Sequence, residues 1–261
     1  MYTTLDIERQ GPVATIWMNR PELHNAFDET LITELTAACM ELDDDPSARV
    51  VVLAGRGKSF SAGADLNWMR RAAQNGVDEN LNDARALALM LRTLAEMQKP
   101  TIARVQGAAL GGGMGLAAAC DIAVAGEKAV FATSEVRFGI IPSAISPYVL
   151  RAIGARQAYR YFQTAERIDA RRACALGLVH ECVANEELDA KVQEIVLALL
   201  NGGPAAQAAA KELIRAVNGQ PVNDNLVEDT AHRIAHLRAS EEAREGIGAF
   251  LDKRQPAWMG A

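Results

Sequence analysis

The sequence predicts an α/β fold that ends in a helical tail. Two observations lead there. Up to about residue 185, short β-branched runs that stop at turn residues alternate with amphipathic helical patterns. Beyond that point the strand-like runs cease and helical stretches follow one another. The segments VATIWMN (13–19) and RVVVLAG (49–55) are rich in β-branched residues and read as strands. Between them, FDETLITELTAACMELDDD carries Leu31, Ile32, Leu35, Cys39 and Leu42 on one helical face, with acids at both ends. Strand, helix, strand implies a parallel pair joined by a right-handed crossover. A helix over about 81–97 and the strand TIARVQG repeat the unit. A glycine-rich turn follows, then a helix over about 113–119, then the short strands DIAVAG and AVFAT. The tail reads as four helices: NEELDAKVQEIVLALL, PAAQAAAKELIRAV, LVEDTAHRIAHLRA and SEEAREGIGAFLDKR.

Composition narrows the function classes. The 261 residues carry a net charge of -6, which gives no reason to expect nucleic acid or an anionic membrane as a partner. The stretch MYTTLDIERQGPVATIWMN has acids early and no apolar core after a basic start, so it does not read as a signal peptide. No apolar run approaches the roughly 18 residues a membrane span needs. The expected location is cytoplasmic. Cys39, Cys120, Cys174 and Cys182 form no C-x-x-C pair and are expected to be buried free thiols.

The turn in RVQGAALGGGMGLAAACDIAVA (104–125) sets three glycines between a strand and a helix. Such a turn lets a ligand approach N–H groups that lack intrahelical partners, where the helix dipole favours negative charge. A P-loop is excluded, since no G-x-x-x-x-G-K-[ST] occurs. Gly113, Gly115 and Ala118 fit a dinucleotide fingerprint with Glu135 twenty residues past Gly115, but the pattern is short and sits mid-chain. A second small-residue turn, GKSFSAGADLNWM (57–69), also follows a strand. Ligands in open α/β sheets bind outside the carboxyl ends of strands. Two such turns could each aim one N–H at the same oxygen, as an oxyanion hole requires.

These segments resemble the enoyl-CoA hydratase/isomerase (crotonase) superfamily. The resemblance rests on MNRPELHNAF (18–27), FSAGADLNWM (60–69), QGAALGGGMGLAAACDIAVA (106–125), SEVRFGIIP (134–142), ALGLVHECV (175–183) and GIGAFLDKRQPAW (246–258), in family order. It implies a ClpP-like ββα spiral core over 1–185 with an acyl-CoA site, and a helical oligomerisation region over 186–261 that forms a homotrimer or a dimer of trimers. It implies further that the backbone N–H groups of Ala64 and Gly112 hold the thioester oxygen of an acyl-CoA. Coenzyme A is then part of the substrate and no other cofactor is expected. By the same resemblance His24, Ala26, Ala62 and Leu66 lie along the CoA moiety. Phe250 and Lys253 reach its nucleotide end from a neighbouring subunit.

Hydratases of this family usually carry two glutamates. Glu135 occupies the second position, and Gly115 stands where the first would be. Glu135 is therefore the one strong acid/base candidate, with a pKa expected to be raised by an apolar acyl pocket. Gly115 is expected to make room for a bulky β-substituent. ADLNWMR, SEVRFGIIPSAISPYVLRAIG and RYFQTAERIDARRACALGLVHE look most like hydratases of branched glutaconyl-CoA esters. Those act on 3-methylglutaconyl-CoA or isohexenylglutaconyl-CoA in leucine or acyclic-isoprenoid breakdown. A single-glutamate isomerase is the alternative. A non-catalytic RNA-binding or scaffold role is a third reading, unsupported by any basic patch.

Arg137 aligns with Glu135 if that segment is extended, and is a candidate for a distal substrate carboxylate. His180 reads as a strand-end structural residue. His232 and His236 are spaced i, i+4 but have no third ligand or H-E-x-x-H, so no metal is expected. No G-x-S-x-G elbow occurs.

Overall fold

The computed structural model describes residues 2–259. In chain order the elements begin with β1 (Leu5–Gln10), β2 (Val13–Met18), α1 (Glu29–Asp44), β3 (Val50–Gly55), α2 (Leu66–Ala72) and α3 (Val77–Glu96). Next come β4 (Thr101–Val105), β5 (Ala108–Leu110), α4 (Gly112–Ala119), β6 (Ile122–Gly126) and β7 (Val130–Ala132). They are followed by α5 (Ser146–Thr164), β8 (Ile168–Asp169), α6 (Ala170–Leu176) and β9 (Glu181–Val183). The tail is α7 (Leu188–Leu200), α8 (Pro204–Val217), α9 (Asp224–Arg238) and α10 (Glu241–Leu251).

A six-stranded sheet runs β1-β2-β3-β4-β6-β9. Only β1 and β2 pair antiparallel; the other neighbours are parallel. The middle strand β3 is buried at all six positions, so its side chains serve two cores. Val51 and Leu53 point into the larger one, with Leu31, Leu35, Leu91 and Leu94 of α1 and α3. Val50 and Val52 point the other way, against Leu188, Val192 and Val196 of α7. The first tail helix therefore covers the sheet. A run buried on both faces reads as continuous Val and Ile rather than as alternation, which is why VVVLAG was legible as a strand.

A second, three-stranded sheet, β5-β7-β8, lies beside the first. Its strands are two or three residues long. β5 falls inside the segment expected to be a turn, and its shortness hides it from any periodicity. The strand β1 and the helices α2, α5 and α6 were likewise not anticipated. LDIERQ in β1 is charged because it is an edge strand with one face in solvent. Glu135–Phe138 is a turn of 3-10 helix, not an extended segment.

Cys39 and Cys120 are buried, and burial pushes the Cys39 thiol up to about 12. Cys174 and Cys182 are only half-buried, so full burial of all four thiols is corrected to two; all four are free. Among the described residues no helix is long and apolar enough to cross a membrane.

The tail is tied down by polar contacts to its own carbonyls and N–H groups. Arg49 Nη2 donates to the Gly202 carbonyl at 2.6 Å and Nη1 to that of Trp258 at 3.3 Å. Glu242 of α10 accepts from the N–H groups of Ala205 at 2.9 Å and Ala206 at 2.8 Å, capping α8 from outside. Glu242→Ala leaves those two donors to water. The expected loss is about 1 kcal/mol, the usual worth of a cap, read as a fall in denaturant midpoint with unchanged m-value.

Candidate active site

Three short extended segments end side by side. Ser61 bridges Ala109 in parallel, and β5 pairs with β7 in parallel so that Ala109 lies opposite Phe131. Ladder bonds hold the first pair: Ser61 N–H to the Ala108 carbonyl at 3.0 Å and Leu110 N–H to the Ser61 carbonyl at 2.9 Å. In this register Ala64, Gly112 and Ser134 each lie three residues past the paired positions, and Glu135 comes next. Among the described residues, no acceptor meets the N–H of Ala64 or of Gly112. Two donors and a carboxylate therefore gather at the carboxyl ends of parallel strands.

Each of the three consecutive glycines has its own reason. Gly111 has φ +50°, a region that favours glycine, and a Cβ there would stand 3.1 Å from Glu135 Oε1. At Gly112 a Cβ would enter the Phe27 ring, 2.6 Å from Cζ. At Gly113 it would press on Ser61, 3.0 Å from the side chain. The missing Cβ at Gly112 thus makes room for the buried Phe27 ring.

The loop bearing Ala64 is held by a buried polar clamp. Asn25 is fully buried at φ 54°, where asparagine is tolerated. Its side chain accepts from Arg20 N–H at 2.9 Å and donates to the carbonyls of Arg56 at 2.9 Å and Ser59 at 2.8 Å. Asp65 caps α2 through Asn67 and Trp68, and Arg20 bridges Asp28 at 3.0 Å and Asp65 at 3.4 Å. The Phe27 and Asp65 N–H groups and the Gly63 and Phe27 carbonyls complete the join.

A cleft of about 450 Å³ opens on these groups. Ala62, Gly63, Ala64, Leu110, Gly111, Gly112 and Glu135 line its floor. Trp68, Met69 and Ala72 of α2, Ala84 and Leu87 of α3, and Phe138 to Ile145 form its walls. Among the described residues no lysine or arginine lines it. Polar side chains that sequence reasoning missed do, besides Ser134 and Ser143: Asn80 donates to the Ala72 carbonyl at 3.1 Å, and Asp83 accepts from Trp68 Nε1 at 3.2 Å. They lie on the helix expected over 81–97, which in the structure begins at Val77; only packing shows which of its polar residues face inward.

Glu135 is half-buried, and its Oε2 has no hydrogen-bond partner among the described residues. Burial pushes its carboxyl above the ordinary glutamate range, and its own backbone N–H pulls weakly back.

The remaining candidates divide. Ala62 and Leu66 line the cleft; Ala62 N–H bonds the His24 carbonyl at 2.9 Å. His24 is exposed with Nδ1 3.0 Å from Ser59 Oγ, and Ala26 is buried behind it. Phe250 and Lys253 sit exposed at the end of α10, away from the cleft of their own chain. Two expectations fail. Arg137 faces away, because the 3-10 turn breaks the i, i+2 alignment, and its Nη2 donates to the Ala165 carbonyl at 2.9 Å. Gly115 does not reach the cleft: a Cβ there would stand 2.7 Å from Ile145 Cβ, so Ile145 fills the space. His180 accepts the Ala123 N–H on Nδ1 at 3.1 Å and is structural. His232 pairs with Glu228 at 2.9 Å, and His236 Nδ1 meets the His232 carbonyl.

Residues 8–261 match the enoyl-CoA hydratase/isomerase family. The chain belongs to the enoyl-CoA hydratase/isomerase (crotonase) superfamily. A crystal structure of an enoyl-CoA hydratase from Shewanella pealeana superposes with a TM-score of 0.95 at 43% identity, covering 98% of this chain and 96% of that one. An enoyl-CoA hydratase/isomerase from Marinobacter aquaeolei gives 0.91 at 36% identity, covering 98% and 99%. The carnitinyl-CoA dehydratase of Citrobacter koseri is 34% identical over 267 residues, covering both chains in full. The crotonase fold is thus the observed one, and the chain is an enzyme of the enoyl-CoA hydratase type.

The half-buried Glu135 carboxyl makes the stability of this crotonase fold depend on pH. The folded pKa of Glu135 is raised, so the folded state holds its proton to higher pH than the unfolded chain. Stability from this group is present below the unfolded pKa, near 4.3, and is lost as pH rises through the folded value. Glu135→Gln is expected to raise Tm at pH 8, with the advantage shrinking to nothing near pH 4.

Proposed function

We propose that the protein hydrates the double bond of β-branched 2-enoyl-CoA thioesters, the class that includes 3-methylglutaconyl-CoA and isohexenylglutaconyl-CoA. One observation carries the reading: two N–H groups without an acceptor and a carboxyl with a raised pKa line one largely apolar cleft. Coenzyme A enters as part of the substrate, and the chemistry calls for no further cofactor. Leucine or acyclic-isoprenoid breakdown would supply esters of this class.

In this mechanism the thioester oxygen lies between the N–H groups of Ala64 and Gly112. The Glu135 carboxylate takes a proton from water as the water oxygen bonds to Cβ. The π pair moves toward Cα and the thioester oxygen gains enolate charge. The two donors favour that charge over the neutral carbonyl, and one such donor is worth on the order of 10²–10³ in rate. Glu135 then returns its proton to Cα, and the enolate collapses to the 3-hydroxyacyl-CoA. One carboxyl serves as base and acid in turn. The raised pKa suits this, because a proton carrier works best when its pKa lies near the working pH.

Among the described residues no lysine or arginine lines the cleft. A terminal glutaconyl carboxylate would stay hydrated at the open side, or meet a cation from a second copy. The substrate test is loss of enoyl-thioester absorbance across crotonyl-, 3-methylglutaconyl- and isohexenylglutaconyl-CoA. The expected order places a branched ester first; crotonyl-CoA as the preferred substrate would overturn the branched reading.

Glu135→Gln keeps the shape and removes proton exchange. Its kcat should fall by roughly 10²–10⁴ with little change in ligand affinity. The acid limb of the wild-type kcat/KM profile should lie above the ordinary carboxylate range, because the base form is needed and burial raises its pKa. A Gln variant with more than about a tenth of wild-type kcat would remove Glu135 from the mechanism.

The protein is further proposed to assemble as a trimer or a dimer of trimers. The tail supports this: Ile214, Val227, Ile247, Phe250 and Leu251 are exposed in the single chain, Phe250 by 81%. Phe250→Asp should lower the mass seen by sedimentation and raise KM. An unchanged trimer with unchanged KM would sink the proposal.

A further inference from the structure

Ile145 stands between α4 and the cleft. It is 2% exposed, lines the cleft, and fills the hollow over Gly115. Its backbone is fixed by the first turn of α5: the Ile145 carbonyl accepts from Tyr148 and Val149, each at 3.1 Å. Three large side chains of that wall are different. Phe138, Ile140 and Ile141 are 62%, 55% and 71% exposed, so they can give way to a ligand. Ile145 cannot retreat without leaving the core.

Its place along α4 matters as much as its rigidity. Gly115 N–H bonds the Gly111 carbonyl at 3.1 Å, so the two glycines are joined across the first turn of α4. The space over Gly111 holds Glu135 Oε1, and the space over Gly115 holds the Ile145 side chain. The carboxylate and the isoleucine therefore both pack at the first turn of α4, and both line the cleft. A group bonded to the carbon next to the one Glu135 protonates would meet Ile145.

We infer that Ile145 is the specificity-determining residue for the β-substituent, and that Gly115 is the notch that lets this wall stand back from the substrate. The inference rests on the thioester reading above. It makes the glycine act at second hand. Any side chain at 115 pushes Ile145 forward, and the cleft narrows beside the reacting carbon. The acyl group is read by an apolar wall of fixed position, so within the proposed class the wall favours a short β-alkyl substituent, as in 3-methylglutaconyl-CoA, over the isohexenyl one.

The experiment compares wild type, Ile145→Ala, Gly115→Ala and the double variant in the full chain. One readout is the ratio of kcat/KM for 3-methylcrotonyl-CoA over crotonyl-CoA. A single methylene in an apolar pocket discriminates by roughly 10–200-fold. Ile145→Ala should therefore shift the ratio toward the branched or bulkier ester by about tenfold or more. Gly115→Ala should shift it about tenfold the other way, and the double variant should return to or above the wild-type ratio. The second readout is the calorimetric Kd of butyryl-CoA and of isovaleryl-CoA, saturated ligands that need no turnover. If wild type hydrates neither enoyl ester, the hydratase reading fails while the Kd ratio still decides the wall. A folded Ile145→Ala protein with both ratios unchanged overturns the inference. So does a double variant in which the Gly115→Ala shift persists in full. Should Ile145→Ala fail to fold, Ile145→Val removes one methyl and must move the Kd ratio in the same direction.

Discussion

The parallel register of three short backbone segments, 60–61, 108–110 and 130–132, places every group of the site. It brings Ala64, Gly112 and Glu135 to one level although they come from well-separated parts of the chain. The packing tolerates almost no side chain at the join. Gly112 meets the Phe27 ring, Gly113 meets Ser61, and a Cβ on Gly63 would stand 2.8 Å from the Leu110 carbonyl. Backbones this close leave N–H groups aimed at a ligand with no side chain in the way. The donors need no rearrangement when charge develops, which is where such sites gain rate.

The price of the site is visible in its polar groups. Elsewhere in this part of the fold, buried polar groups are satisfied: Asn25 makes three bonds through its side chain, and Arg20 answers the Ala26 carbonyl at 2.6 Å and two carboxylates. Those clamps set the loops without touching a ligand. Glu135, in the largely apolar cleft, keeps one oxygen, Oε2, without a partner among the described residues. A carboxylate oxygen buried without a partner is costly, and the same lack of a partner there keeps it free to exchange a proton. Stability and acid/base competence are opposed in this one residue.

The cleft also links specificity to the helix that supplies a donor. α4 starts with the free N–H of Gly112, and one turn into it Gly115 receives Ile145. A change on this helix therefore reaches the substrate through two routes: the position of the donor and the position of the isoleucine wall. The helical tail adds a third element. Its α7 closes the far face of the sheet, and α8 to α10 leave apolar side chains exposed around Phe250.

Much of this was legible from residues alone. The β3 run, the α1 stripe and the four tail helices carry periodicities that sheet and helix geometry impose locally. The two glycine- and alanine-rich turns, and Glu135 after the second, carry the family resemblance. What the sequence could not convey concerns contacts between distant segments. A three-residue strand such as β5 has no period, and its pairing with β7 exists only once both are placed. Arg137 points away because 135–138 winds as a 3-10 turn, and Asp83 enters the cleft because α3 packs against α2. By itself the sequence determined which residues are small enough, apolar enough or acidic enough to build the site, since those are properties of single side chains. Only the tertiary structure decided that Gly112 yields to Phe27 and Gly115 to Ile145, because the space a missing side chain leaves is claimed by whichever neighbour the fold brings there.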